Sequence, residues 1–219
     1  MPRLLFEKTG NAVWISHLDL MRLFQRAFKR ADLPLTHSKG FNPRPQVAIA
    51  LPLSVGVDSK CEILDFDLDG DMPATDTIRD RLNAALIDGV RVLDVYENGR
   101  KIKELSLLRC VVELEYDQGI PQGTCNALHN LFTRESLPVE KKSKNGVQDQ
   151  DIIPMIRRIQ VEAVDAHTVA LQALVCCQNP SLNPMQLCAA IERYLPELKP
   201  DFAKCHRLEI YDNHEKIFR

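Results

Sequence analysis

The 219-residue chain predicts an α+β fold of two tandem ferredoxin-like domains, each a βαββαβ unit. Three observations carry this expectation: short apolar runs alternate as strands do, stripes at helical spacing lie between them, and the second half repeats the element order of the first. The repeat is one of order, without residue-level identity.

In the first domain, residues 1–100, Leu4 and Phe6 alternate in a strand that continues past Thr9-Gly10-Asn11 into Val13-Trp14-Ile15. Ser16 is a good N-cap for a helix whose apolar face holds Leu20, Leu23, Phe24, Ala27, Phe28 and Ala31, and which Leu33-Pro34 ends. A loop at 36–45 follows. Val47–Leu51 and Cys61–Leu68 read as strands, Thr75–Ile87 as a second helix stopped by Gly89, and Val90–Tyr96 as a strand. The polar residues 97–105 form the joint. The second domain, residues 106–219, gives strand Cys110–Tyr116, helix 123–132, strands Arg158–Val164 and Thr168–Val175, helix Pro184–Leu195 and strand Arg207–Tyr211. Asn183, Pro184 and Gln186 are N-cap, first helical position and capping-box partner of that last helix. Residues 137–157 interrupt the unit with a basic segment, 141–146.

Composition excludes several classes. Hydrophobic residues make up 45% and charged residues 26%, and no apolar run is long enough to span a bilayer. The chain opens directly on a strand-like segment without the regions of a secretion signal, so the expected location is the cytoplasm. Seven cysteines show no C-x-x-C spacing and read as small buried residues. Glycine-rich nucleotide loops, a G-x-S-x-G elbow and an iron–sulfur signature are missing, so no cofactor and no metal are expected. Asp65-Phe-Asp-Leu-Asp-Gly imitates a calcium loop, but Phe66 and Leu68 continue a strand alternation and Pro73 falls inside the would-be loop.

The net charge of −2 hides a segregation. Residues 1–50 hold eight Lys/Arg against three Asp/Glu, a net of +5, and residues 51–100 hold five against eleven, a net of −6. Arg22, Arg26, Lys29 and Arg30 lie opposite the apolar face of the first helix, at spacings where like charges weaken a helix. The loop behind it carries Lys39, Phe41 and Arg44 among glycine and prolines. Together these residues suit phosphates and stacking on an unpaired base, hence an RNA partner. The alternative is a solvated face paired with the acidic stretch of residues 62–76.

His17, in the first turn of the helix, and His37, in the loop, could form a metal-free ribonuclease site in which one imidazole takes the 2′-hydroxyl proton and the other protonates the leaving oxygen. Their meeting depends on topology. If the second strand is 35–38 the loop reaches the start of the helix; if it is Val47–Leu51 the loop belongs to the opposite end of the sheet.

Phe6-Glu-Lys-Thr-Gly, Ile15-Ser-His-Leu-Asp-Leu-Met-Arg, Leu33-Pro-Leu and Ser38-Lys-Gly-Phe-Asn-Pro-Arg-Pro resemble the motifs of the radical-SAM-linked family of uncharacterised domains. The resemblance extends through Leu51-Pro-Leu-Ser-Val-Gly, the 151–154 stretch, Asn183-Pro and the terminal Arg207–Tyr211 segment; it departs from the family's usual residues at Arg44 and Ile153. It implies an accessory to radical SAM chemistry with an RNA or ribosome connection and no defined activity of its own; because this chain lacks the cluster cysteines, the expected partner is a separate radical SAM enzyme. A tandem ferredoxin-like chain with a histidine-bearing first helix is also similar to the CRISPR repeat-processing endoribonucleases, although their glycine-rich loop near the C-terminus is missing. Three expectations therefore stand side by side: an RNA-binding accessory protein, a metal-free endoribonuclease using His17 and His37, and a protein-interaction module.

Overall fold

The computed structural model describes residues 1–143 and 146–219. Lys144 and Asn145, within the predicted basic segment, lie outside the described residues. The described residues form a mixed fold of four α-helices and antiparallel sheet, and the chain divides into two units, residues 1–102 with Arg219, and residues 103–218. Arg219 belongs to the first unit because its carbonyl accepts the Arg100 N–H at 2.9 Å.

In the first unit β1 (Arg3–Lys8), α1 (His17–Arg30), β2 (Val47–Ile49), β3 (Val57–Phe66), α2 (Thr75–Ala85) and β4 (Val90–Tyr96) follow one another, and the strands lie in the order β4-β1-β3-β2. The register sets Leu4 beside Leu64 and Val95, and Val47 beside Phe66. Alternate residues of β1 and β3 therefore enter one core with Leu20, Phe24, Ala27 and Phe28 of α1 and Ile78 and Leu82 of α2. Two ring pairs seat α1 on the sheet: Phe6 with Phe24 at 4.8 Å between centroids, edge to face, and Phe28 with Phe66 at 5.1 Å.

The predicted extension of the first strand into Val13–Ile15 is corrected. Gly10–Trp14 is a 3₁₀ turn, entered at Gly10 with φ of +55°. Lys8 dictates this. Its side chain is fully buried, and a buried ammonium is tolerable only when hydrogen-bonded; the turn aims the Val13 and Ile15 carbonyls at Nζ, at 3.0 and 2.8 Å. Trp14, which strand alternation would place in the sheet, is 64% exposed. Arg3, also buried, holds β1 to β3 through a two-point contact with Asp65 at 2.5 and 3.1 Å and donates to the Arg100 carbonyl at 2.9 Å. Asp65 is thus occupied by a guanidinium, which removes the first position of the calcium-loop imitation.

The second unit contains β5 (Leu105–Glu115), α3 (Thr124–Phe132), β6 (Pro138–Ser143), β7 (Gly146–Asp151), β8 (Ile156–Ala163), β9 (Thr168–Cys176), α4 (Gln186–Tyr194) and β10 (Phe202–Asp212). Its main strands lie in the order β10-β5-β9-β8, while β6 and β7 pair separately as an inserted hairpin. Asp151 ties the hairpin base by accepting from the Leu137 and Ile153 N–H groups, at 2.8 and 3.1 Å. Tyr194 donates to the Pro138 carbonyl at 2.9 Å and Arg193 grips Asp149 through both guanidinium nitrogens, so α4 carries the hairpin. The start of α4 comes two residues later than Pro184. The capping-box contacts form, with Gln186 accepting from the Asn183 N–H and Asn183 from the Met185 N–H, both at 3.1 Å, but Leu187 N–H bonds back to Pro184 at i−3, so the first turn is tighter than an α-helix.

Gly89 sits at φ of +84° with its place for a Cβ 2.4 Å from the Thr9 carbonyl oxygen, whereas Gly10 at +55° has open space around it. Gly89→Ala is expected to destabilise the protein by more than about 2 kcal/mol, since the backbone of the adjoining turn must move, and Gly10→Ala by only about 1 kcal/mol from its backbone angle. Urea denaturation of the two variants checks the difference; equal midpoints would contradict this packing.

Candidate nucleic-acid interface

The end of α1 shapes the site. Its last turn closes with the Leu33 N–H on the Phe28 carbonyl at 3.0 Å and the Asp32 N–H on the Lys29 carbonyl at 3.3 Å, the Schellman pattern, with Leu33 buried as Phe28 is. The position that normally takes glycine in this motif is Asp32, at φ of +54°. The chain then forms a small hairpin: His37 bridges Pro45, the Ser38 N–H donates to the Arg44 carbonyl at 2.8 Å, and the Gln46 N–H donates to the Thr36 carbonyl at 2.7 Å. Its base is stitched to the residues after β3, with the Thr36 N–H on the Asp67 carbonyl and the Asp69 N–H on the Pro34 carbonyl. Residues 39–43 are the tip, where Phe41 is fully exposed and Lys39 and Arg44 flank it in solvent.

Between the helix end and this hairpin lies a pocket of about 550 Å³. Phe28, Leu33, Leu35 and Pro45 supply its apolar surface. Gln25, Lys29, Asp32 and His37 supply its polar surface, and none of these four side chains makes a hydrogen bond or ion pair among the described residues.

The basic residues of α1 are not equivalent. Arg22 is paired with Asp19 at 2.9 Å, and Arg30 donates to the Ala85 carbonyl at 2.6 Å, where it satisfies the end of α2. Arg26 and Lys29 remain exposed without a hydrogen bond or ion pair among the described residues, as do the side chains of Lys39 and Arg44. The pairing of this face with residues 62–76 does not occur among the described contacts: Asp65 is taken by Arg3 and Asp76 by Arg79.

The structure separates the two histidines. The second strand is Val47–Ile49, and His37 lines the pocket with Gln25 and Lys29, which lie about 12 and 18 Å along the helix axis from His17. His17 is half-buried at the opposite end, with Nδ1 enclosed and without a hydrogen-bond partner. A shared proton relay is therefore not assembled. Burial pushes the Cys188 thiol up to about 11 and the Tyr116 hydroxyl, which donates to the Leu198 carbonyl at 2.9 Å, up to about 12. Among the described residues no group of three or more His, Cys, Asp or Glu could hold a metal ion, and no helix is long and apolar enough to cross a membrane. A smaller pocket of about 370 Å³ on the sheet of the second unit is lined by Arg109, Gln172 and Tyr211, but there Arg158 is spent on Glu215 at 2.5 Å.

Residues 2–184 match the family described as "Uncharacterized protein conserved in bacteria (DUF2344)". The chain belongs to this family. The match takes in α1, the 36–46 hairpin and the pocket, and stops short of α4 and β10. No curated protein matches the chain. Among solved structures, a chain in the "Crystal Structure of a Cbf5-Nop10-Gar1 Complex" is similar at 9% identity over 95% of this chain, with a TM-score of 0.50. This DUF2344 chain spans 48% of that one, and the likeness concerns the fold alone. An unknown protein from Galdieria sulphuraria aligns over 94% of this chain and 96% of its own at 11% identity, with a TM-score of 0.27 that is too low for a shared fold to be argued.

The pocket and the tip are only half visible in sequence. Lys39, Phe41 and Arg44 stand out by residue type, whereas Gln25 and Asp32 have no signal of their own; an aspartate just past the end of a helix, at the position that favours glycine, is the available clue.

Asp19 gives the first turn of α1 a pH signature. Donation from the Ser16 hydroxyl, and then from Arg22, holds its carboxyl below its ordinary value of 3.8. A carboxyl lowered by folding stabilises the native state above its ordinary value, and that contribution is lost as the pH falls through the lower folded value. The stability difference between wild type and Asp19→Asn is expected to be present at neutral pH and to close as the pH drops below 3.8, as thermal melts across an acid series can show. A difference that persists unchanged in acid would contradict the assignment.

Proposed function

We propose that this protein is a cytoplasmic RNA-binding accessory to a separate radical SAM enzyme acting in RNA or ribosome modification, built from two ferredoxin-like units, with the exposed half of α1 and the 36–46 hairpin as its RNA contact. The observation that carries the RNA part is the tip itself: a fully exposed aromatic ring, Phe41, between Lys39 and Arg44, on the hairpin that shares a pocket with the exposed Lys29 of α1. A ring flanked by cations is the arrangement that stacks a base while holding its phosphates. The radical SAM partner rests on the sequence motifs from Phe6 through Pro45. The sheet of the second unit is a weaker candidate surface. Its central strands β5 and β9 present Arg109, Val111, Glu113 and Gln172 and carry no aromatic ring themselves; Tyr211 and the half-exposed Phe202, the latter covered by Lys204, stand on β10.

Replacing Arg26, Lys29 and Arg44 together with Gln is expected to weaken single-stranded RNA binding and to reduce the slope of log affinity against log salt by about 0.7 for each phosphate that the variant no longer neutralises. Arg22→Gln and Arg30→Gln have smaller effects on that slope, because those charges are engaged within the protein. Phe41→Ala lowers affinity by about 1–3 kcal/mol with an unchanged melting temperature, as its ring is exposed. Fluorescence anisotropy with labelled RNA in chelator measures all of these, and a gel of the same samples reports cleavage. An affinity that ignores salt and all of these substitutions removes the RNA reading; cleavage abolished in His17→Ala or His37→Ala replaces it with the nuclease.

A further inference from the structure

We infer that the pocket between the end of α1 and the 36–46 hairpin receives one unpaired guanine base of the bound RNA and reads it through the carboxylate of Asp32; this rests on the RNA-contact reading above. The pocket has the size of a small-ligand site, about 550 Å³ against the usual range of about 300–1,000 Å³. Pro34, Leu35 and Pro45 give it apolar walls, and the buried Phe28 lines it as well. Such surfaces accept the face of a base.

The polar groups select among bases. Asp32 offers two acceptors and no donor when ionised, and no cation among the described residues takes them: Lys29 lines the same pocket but forms no ion pair with it. Guanine alone among the four bases presents two adjacent donors, N1–H and the 2-amino group, on one edge. Adenine and cytosine set a ring acceptor beside their amino group, and uracil sets its single N–H between two carbonyls, so each would place an acceptor against the carboxylate. Next to its two donors guanine carries the O6 acceptor, and Lys29 and the Gln25 amide are the donors available there. His37 stands at the hairpin rim, on the side that leads to Lys39 and Arg44, where the phosphates of a strand stacked on Phe41 would run.

Asp32 occupies the left-handed position at φ of +54° that glycine fills at least cost and that aspartate and asparagine tolerate better than most other residues. This makes the test clean, because Asp32→Gly and Asp32→Asn both suit that backbone conformation and keep the helix end intact.

The experiment compares uridine oligonucleotides carrying one central guanosine, inosine, adenosine or cytidine, each over a salt series. The expected result is a preference of about 10- to 100-fold for guanosine over adenosine, with inosine, which lacks the 2-amino donor, in between. Asp32→Asn and Asp32→Gly should remove the preference while leaving the salt slope unchanged and the melting temperature equal or higher. Salt-dependent binding without a guanosine preference, or with one that survives both substitutions, overturns the pocket assignment and leaves the RNA contact standing. Absence of salt-dependent binding to every oligonucleotide overturns the RNA contact itself, and this assignment with it.

Discussion

Phe28 is the residue on which the first unit turns. Its ring meets Phe66 across the core, its carbonyl accepts the Leu33 N–H that ends α1, and its side chain forms the inner wall of the pocket. One buried side chain thereby couples the seating of the helix, the direction in which the chain leaves it, and the floor of the cavity. Removing so large a ring from a filled core costs about 3–5 kcal/mol, because the neighbours close the void only in part. The hairpin tip and the basic face of α1 inherit their positions from that packing.

Electrostatics divides the basic residues of the first unit by task. Arg3 is buried and matched to Asp65, Arg30 completes the end of α2, and Arg22 is held by the same aspartate that assists the Ser16 cap. What remains, Arg26 and Lys29 with Lys39 and Arg44, lies in solvent where the hairpin and the helix end meet. An exposed ion pair such as Asp19 with Arg22 is worth little in itself, but it offsets positive charge at the start of the helix.

The second unit uses the same element order toward a different balance. Several polar groups on its sheet are engaged in place, Lys204 with Glu115 and Gln172 with Glu162, while Arg109 stands exposed. The inserted hairpin is fastened by hydrogen bonds and ion pairs of Asp151, Tyr194 and Arg193. The candidate contact falls on the first unit because its hairpin tip sets a fully exposed ring between two solvent-exposed cations.

Features that depend on neighbours a few positions apart are legible in the chain alone: the apolar stripe of α1, the alternation of β1 and β3, the Asn183–Gln186 capping box, and the concentration of positive charge in the first fifty residues. Alternation misplaces Val13–Ile15, because it does not reveal that a lysine five residues earlier is buried and needs two carbonyls. It also leaves the meeting of His17 and His37 open, because a pairing choice across the sheet, Val47–Ile49 on β3, decides which end of the helix the loop reaches. Folding in three dimensions is what brings Gln25, Lys29, Asp32 and His37 around one cavity, since that convergence follows from where a Schellman turn points the chain and from the hydrogen bonds that anchor a hairpin to a distant strand. Local pattern encodes an element through its own periodicity; a site made of side chains from several elements exists only once long-range contacts have set their separations.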